Sequence, residues 1–257
     1  MSHGGAALRS TFAKPLRLGG ALAAALTFGG LGAEAAAQQI TPLMQPPPND
    51  VRLGPSSRYS SPDGHIRFVF DRSGRTALIR FDNDPEVHVL RASGGGGGVE
   101  VYRNDANDIV LRVAPYGGVT VYLRGNRNGA AVAEEARAEP LTPQAYAIAQ
   151  YQARMRALQA AAARQLGRNI VFEAPGDASG IGAGLIIDAA ERAAAGLIAA
   201  RDTQVNRIIV RVGRQPVAQR QGATLAVMVA PQLGFEGRPS SRAIRAVVTG
   251  ERVGPNP

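Results

Sequence analysis

The sequence holds a single lysine, Lys14, and neither cysteine nor tryptophan in 257 residues. Each absence removes a class of chemistry. A phosphate-cradling P-loop needs a lysine on the phosphates, a pyridoxal enzyme a Schiff-base lysine, and a short-chain dehydrogenase a lysine beside its tyrosine. Without cysteine there is no thiol nucleophile, no disulfide framework, no iron–sulfur cluster and no cysteine-based zinc site. Every other cation is an arginine, and 29 basic against 20 acidic side chains leave a formal charge of +9. Codon usage in a GC-rich genome accounts for the replacement of lysine by arginine, with alanine and glycine abundant as well. What survives these exclusions is mostly non-catalytic.

The first 37 residues read as an address. Arg9, Lys14 and Arg17 supply a positive start, Leu18 to Leu31 is an apolar run broken by glycine, and Ala35-Ala36-Ala37 precedes Gln38 as a small-residue cleavage site. The run is shorter than the roughly 20 apolar residues of a membrane-spanning helix. The pattern predicts a signal peptide over 1–37, cleavage near Ala37, and a secreted, periplasmic mature chain with no transmembrane span. Removing it leaves 26 arginines against 19 acids, an excess of +7.

Residues 38–57 are proline-rich and predict a flexible, extended segment. Over 58–125 apolar runs begin near Ile66, Thr76, Val87, Val99, Ile109 and Val119, separated by turn chemistry such as Ser73-Gly74, Asp82-Asn83-Asp84-Pro85 and the glycines 94–98. Such spacing predicts an antiparallel β-meander, barrel- or sandwich-like. Alternation puts Phe68, Phe70, Val101, Leu111 and Val121 on a core face, and Arg67, Glu100, Tyr102, Arg112, Tyr122 and Arg124 on a polar sheet surface. Residues 126–141 are rich in glycine, alanine and acid and read as a linker. From 142 to 250 the pattern is α, β, α, β, β, α. Thr142 is the expected cap of the first helix, with Pro143 in its first turn and a stripe of Ile148, Tyr151, Met155, Leu158 and Ala162. Residues 251–257 read as a disordered tail. The expected fold class is α+β, the β-meander preceding a smaller α+β domain.

Charge divides along the same line. Residues 38–140 carry 12 arginines and 12 acids, and residues 141–257 carry 14 and 7. Guanidinium matches phosphate and carboxylate bidentately, so Arg207, Arg211, Arg242 and Arg245, with Arg67, Tyr102, Arg112, Tyr122 and Arg124 on the sheet surface, are the candidate binding residues.

The glycine-rich stretch Gly176 to Gly182 lies between a predicted strand and a predicted helix, where backbone N–H groups seat anions. Its late position and the missing lysine argue against a dinucleotide loop and for a strand-to-helix turn. His65 and His88, the histidines left after cleavage, do not make up a zinc set. The acid and asparagine clusters at 82–84 and 105–108 lack EF-hand spacing and suit turns. No Gly-x-Ser-x-Gly elbow places Ser73 or Ser179 for hydrolysis, whereas a pair of carboxylates is set by spatial separation and stays open. No catalytic residue, metal or cofactor is expected.

The segments FVFDRSG from Phe68, LIRFDNDPEVHVL from Leu78, VYRNDAND from Val101, GGVTVYL from Gly117 and GFEGRPSSRAIRA from Gly234 resemble a family of secreted proteobacterial proteins recorded only as a domain of unknown function. The resemblance spans nearly all of the mature chain and brings no activity or functional residue with it. The expectation is a non-enzymatic binding or structural module of the periplasm. Its partner would be anionic lipid, lipopolysaccharide, peptidoglycan or an envelope protein rather than nucleic acid. The alternative is a carboxylate-dependent hydrolase of cell-envelope glycan.

Overall fold

The protein is described by a computed structural model that covers residues 53–123, 126 and 128–251. The expected signal peptide, most of the proline-rich segment, Arg124 and the chain after 251 lie outside the described residues. Eight antiparallel strands run as a meander: β1 (Ser56–Ser60), β2 (Arg67–Asp71), β3 (Ala77–Phe81), β4 (Val87–Gly94), β5 (Glu100–Arg103), β6 (Ile109–Val113), β7 (Val119–Val121) and β8 (Ala130–Arg137). Each pairs with its neighbour in sequence, and β1 pairs with β8, so the sheet closes into a barrel without free edges. The two strands that perform the closure are those the apolar pattern passes over. SSRYS is too polar to announce a strand, and AAVAEEAR, read from composition as linker, has no alternation because all of it but Val132 is exposed or half-buried.

The barrel is filled rather than hollow. Tyr59, Phe68, Phe70, Ile79, Leu90, Tyr102 and Leu111 are buried in one cluster. Phe68 stacks on Tyr59 with ring centroids 5.4 Å apart, and Tyr102 meets Phe70 edge-on at 5.0 Å. Burial pushes the Tyr59 phenol up to about 12, helped by the nearby Glu134 charge. Burial raises Tyr102 as well, as does its hydrogen bond to Glu100. A phenol whose folded pKa exceeds its unfolded value adds stability that is complete below pH 10 and is lost as pH rises through about 12. Urea midpoints should therefore fall across that window, and Tyr59→Phe should flatten the fall; an unchanged slope would refute the assignment.

The second part comprises α1 (Ile148–Leu166), β9 (Val171–Glu173), α2 (Gly180–Ala200), β10 (Arg207–Val212), β11 (Val217–Gln221), β12 (Thr224–Val229), a 3-10 segment (Pro231–Gly237) and α3 (Ser241–Thr249). The sheet order is β11-β12-β10-β9, with β9, β10 and β12 parallel and β11 antiparallel. The apolar pattern misses β11, VAQRQ, none of whose residues is fully buried. α1 begins at Ile148, later than the Thr142 cap predicted, because Tyr146 exchanges backbone hydrogen bonds of 3.1 and 2.7 Å with Gly180 and holds the preceding segment extended. α3 starts where Arg238-Pro239-Ser240 indicates: the Ser240 hydroxyl accepts the Ala243 N–H at 3.0 Å.

The barrel and this layer belong to one compact unit and share a core. Val69, Leu78, Val87 and Val89 point out of the barrel and pack with α2 residues such as Leu185, Ala189 and Leu197. Strands β2 to β4 are thus apolar on both faces, one face for the barrel and one for its neighbour. Among the described residues no helix is long and apolar enough to cross a membrane.

Candidate functional site

Where barrel and layer meet, ionised side chains are buried together. Glu86, at the end of the β3–β4 turn, has a side chain 3% exposed and lies 3.5 Å from both Arg238 Nη1 and Arg192 Nη1. The Ser241 backbone N–H donates to it at 3.1 Å, and so does the Ser241 hydroxyl. Arg238, 1% exposed, donates through Nη2 to the Val87 carbonyl at 2.7 Å and through Nε to Asp188. Asp188 also faces Arg192 Nε, one helical turn on, at 3.7 Å. Burying charge is costly unless it is paired and hydrogen-bonded. Here Glu86 of the barrel, Asp188 and Arg192 of α2, and Arg238 and Ser241 at the start of α3 pair with one another, although the buried Arg192 Nε keeps no hydrogen-bond partner among the described residues. Sequence reading missed Glu86, Asp188, Arg192 and Ser241. The one available signal is Arg192, a cation within the apolar stretch Leu185 to Leu197 and four residues after Asp188.

Beside this network opens a cleft of about 310 Å3. Its floor is apolar, with Val89 from the barrel and Ala218, Ala243 and Val247 from the layer; its rim carries His88, Arg91, Asn104, Asp105 and Glu236. A second lobe of about 360 Å3 shares His88, Asn104, Asp105 and Ser240 and adds Arg242 and Arg245. Apolar walls with a few convergent polar groups are the usual form of a small-ligand site.

The histidine of the cleft and the serines in and near it are engaged in local hydrogen bonds. His88 Nε2 lies 3.0 Å from Asp84 Oδ2, and that hydrogen bond holds the Asp84 carboxyl below the ordinary range, against partial burial. A general acid needs the opposite shift. The Ser240 hydroxyl is tied to Asp105 while capping α3, and the Ser241 hydroxyl is tied to Glu86. Ser73 donates to Asp71 at 2.6 Å instead of serving a histidine. Among the described residues no group of three or more His, Asp or Glu is placed to hold a metal. The 82–84 and 105–108 clusters serve turns and ion pairs: Asp82 meets Arg58 at 2.9 Å, and Asn104 Oδ1 accepts the Ala106 and Asp108 N–H groups. The glycine-rich loop is also engaged, since the Gly180 N–H donates to Tyr146 and the Gly176 carbonyl accepts from Gln152 at 2.9 Å.

The nine residues singled out as binding candidates do not form one surface. Tyr102 is not on a polar face at all. It is 4% exposed inside the barrel, because β5 is covered on both faces and shifts register just after it. Arg112 stacks over Tyr122 at 5.6 Å on the barrel wall, Arg67 stands exposed at the start of β2, and Arg124 is outside the described residues. Arg207 and Arg211 share the face of the four-stranded sheet turned away from α2, Arg207 paired with Glu173 at 3.1 Å. Arg242 and Arg245 line the second lobe, paired with Asp108 and Glu251. Other arginines of the basic half are likewise spent on acids: Arg154 on Glu191, and Arg168 and Arg220 on Asp202. The charge excess is thus dispersed.

One more arginine, Arg91, stands at the rim of the cleft. Arg91 stands directly opposite Arg103 across β4 and β5; neither has an ion-pair partner among the described residues, and Arg103 Nη1 donates to the Asn107 carbonyl at 2.8 Å. Like charges so placed destabilise the pairing. No curated protein and no solved structure matches the chain. One family model does, over residues 40–248, and the chain belongs to that family, Domain of unknown function (DUF4908).

Proposed function

We propose that this protein is a non-catalytic binding module acting outside the cytoplasm, and that its cleft holds a phosphate or carboxylate group of an anionic envelope component. The observation that carries the reading is Arg91, which lines an apolar-floored cleft and has no ion-pair partner among the described residues. An anion gives Arg91 the partner it lacks, and the fork geometry of its guanidinium suits phosphate and carboxylate. The apolar floor accommodates the body to which the anion is attached. The leader-like sequence over 1–37 supports export, and a periplasmic location puts lipid headgroups and lipopolysaccharide within reach.

Vesicles containing phosphatidylglycerol should bind the mature chain at about 0.02 M salt and release it at about 0.2 M. Arg91→Ala should weaken binding about tenfold, the size of one charge-assisted hydrogen bond. Arg156→Ala, which removes a cation of α1 away from the cleft, should leave binding within about twofold. Absence of salt-dependent binding, or equal losses in both variants, would refute the proposal.

A further inference from the structure

Two β-ladders end at the cleft. In the four-stranded sheet the Ala223 and Val229 carbonyls accept the Arg207 and Gly213 N–H groups at 3.2 and 2.7 Å, so these residues of β12 face β10, and the alternate residues Thr224, Ala226 and Met228 face β11. Their bonded partners are Gln221, Gln219 and Val217, which leaves the N–H and C=O groups of Ala218 and Arg220 pointing outward at the sheet edge. On the barrel side the closure is staggered. β4 pairs with β3 over Val87–Leu90 and with β5 only over Arg91–Gly94. The 2.7 Å bond from the Gly95 N–H to the Val99 carbonyl sets the alternation: Ser93 and Arg91 bond to β5, and Val89 and Val87 turn their backbone groups the same way, past the end of β5.

Unpaired strand groups invite another strand, and folded proteins cover them. At two comparable places a side chain does so. The Val171 N–H of β9 donates to Asn206 at 2.9 Å, which turns the Phe172 N–H outward, and Gln159 of α1 accepts it at 3.0 Å. The Val87 carbonyl of β4 accepts from Arg238 at 2.7 Å. No hydrogen bond among the described residues reaches the outward groups of Val89, Ala218 or Arg220. Val89 and Ala218 both line the cleft. These open backbone groups therefore border the same space as Arg91.

What completes a strand edge is extended main chain, which offers donors and acceptors at alternate residues. Charge then selects its side chains. Arg91 lacks an ion-pair partner, whereas the rim acids are engaged, Glu236 with Arg75 at 3.5 Å and Asp105 with the Ser240 hydroxyl. We propose that the cleft takes an extended acidic segment of a partner protein, which adds to β11 as a fifth strand and places a carboxylate on Arg91. Alternate side chains of that strand meet the apolar floor. The assignment rests on the reading of the cleft as an anion-binding site and names what bears the carboxylate.

A fluorescein-labelled hexapeptide of alternating valine and glutamate, titrated with the mature chain and followed by anisotropy, tests it. Main-chain bonds supply the affinity in this mode, so saturable binding with a Kd of about 0.1 mM is expected. The valine–lysine counterpart should bind about tenfold more weakly, and Arg91→Ala should erase that difference. Ala218→Pro removes an N–H that the ladder does not use, so it should keep the parent urea midpoint while weakening the acidic peptide about tenfold. Amide exchange of the unaltered chain reads the edge directly: the Ala218 and Arg220 N–H groups should exchange freely alone and slow about tenfold with saturating peptide. Phosphatidylglycerol vesicles separate the two readings, since Ala218→Pro should leave vesicle binding within about twofold while Arg91→Ala weakens both. Vesicle binding without saturable peptide binding up to roughly 2 mM overturns the strand and leaves the anion site standing. Equal affinity for the two peptides, or a bound peptide that leaves the Ala218 and Arg220 amides unprotected, overturns it as well. Failure of vesicles and peptides alike overturns both readings.

Discussion

Replacing Arg238 with alanine should lower stability by about 3–5 kcal/mol, the cost of leaving buried carboxylates without their partner. Its side chain is 1% exposed and faces Glu86, Asp188 and the Val87 carbonyl together. The substitution strips Glu86 to Arg192 and the Ser241 donors, leaves Asp188 with Arg192 alone, and abandons the Val87 carbonyl. Because Glu86 and Val87 belong to the barrel while Asp188 and Arg238 belong to the layer, the loss falls on the junction between them. For a unit of this size the melting temperature should drop by on the order of 10 °C. Glu86→Gln combined with Arg238→Ala should cost less than the two separate losses added, since the second change removes the charge that the first had stranded. Urea unfolding of the four proteins measures this. A loss below about 1 kcal/mol for Arg238→Ala would mean that water screens the network, and the junction would then rest on apolar packing alone.

Gly184→Ala should be nearly as damaging, by about 3 kcal/mol, although it adds a single methyl group to a helix. A Cβ there would lie 2.9 Å from the Gln144 carbonyl carbon and closer still to its oxygen. The obstacle is main chain and cannot swing aside as a side chain can. To make room, the segment before α1 must lift, which breaks the paired hydrogen bonds between Tyr146 and Gly180 and tilts α1 with its buried Tyr151. Gly176→Ala, in the same loop-to-helix stretch, meets nothing within 4 Å and should be close to neutral. Urea midpoints and proteolysis around Gln144 report the two effects. If Gly184→Ala unfolds with the parent midpoint, the close approach of the segment to α2 is wrong.

The contrast between the two glycines shows how far the sequence can be read. Gly176 and Gly184 belong to one glycine-rich stretch, and nothing in their spacing separates the one that permits a turn from the one that lets main chain cross a helix. The stretch reads as a strand-to-helix turn and does join β9 to α2, with its backbone engaged internally. The barrel shows the same limit. Six strands announce themselves because their apolar residues alternate about well-formed turns. β1 and β8, which close the barrel, do not, because ladder hydrogen bonds need no particular side chains.

The candidate sites were legible only in part. Arg242 and Arg245 do line a lobe of the cleft, and Arg112 and Tyr122 do stand together on the barrel. Tyr102 went to the wrong side because alternation assumes one buried face per strand, and here both faces of β5 are covered. Glu86 gave no local signal, as its partners Arg192, Arg238 and Ser241 are remote in the chain.

What the sequence by itself determined is the chemistry that is closed to this protein, the α+β class with its antiparallel meander first, and the concentration of arginine in the second half. These follow from residue types and short-range periodicity, which act within a turn or a strand. The tertiary structure alone decided that the meander closes, that β2 to β4 serve two cores, and that eight of the thirteen described arginines in the second half pair with acids brought close through folding. It also decided which buried side-chain atoms keep no hydrogen-bond partner, among the described residues the hydroxyls of Tyr59 and Tyr151 and the Nε atoms of Arg72, Arg168 and Arg192. The physical reason is that pairing and burial depend on distances between residues far apart in the chain, and such distances exist only once the chain has folded.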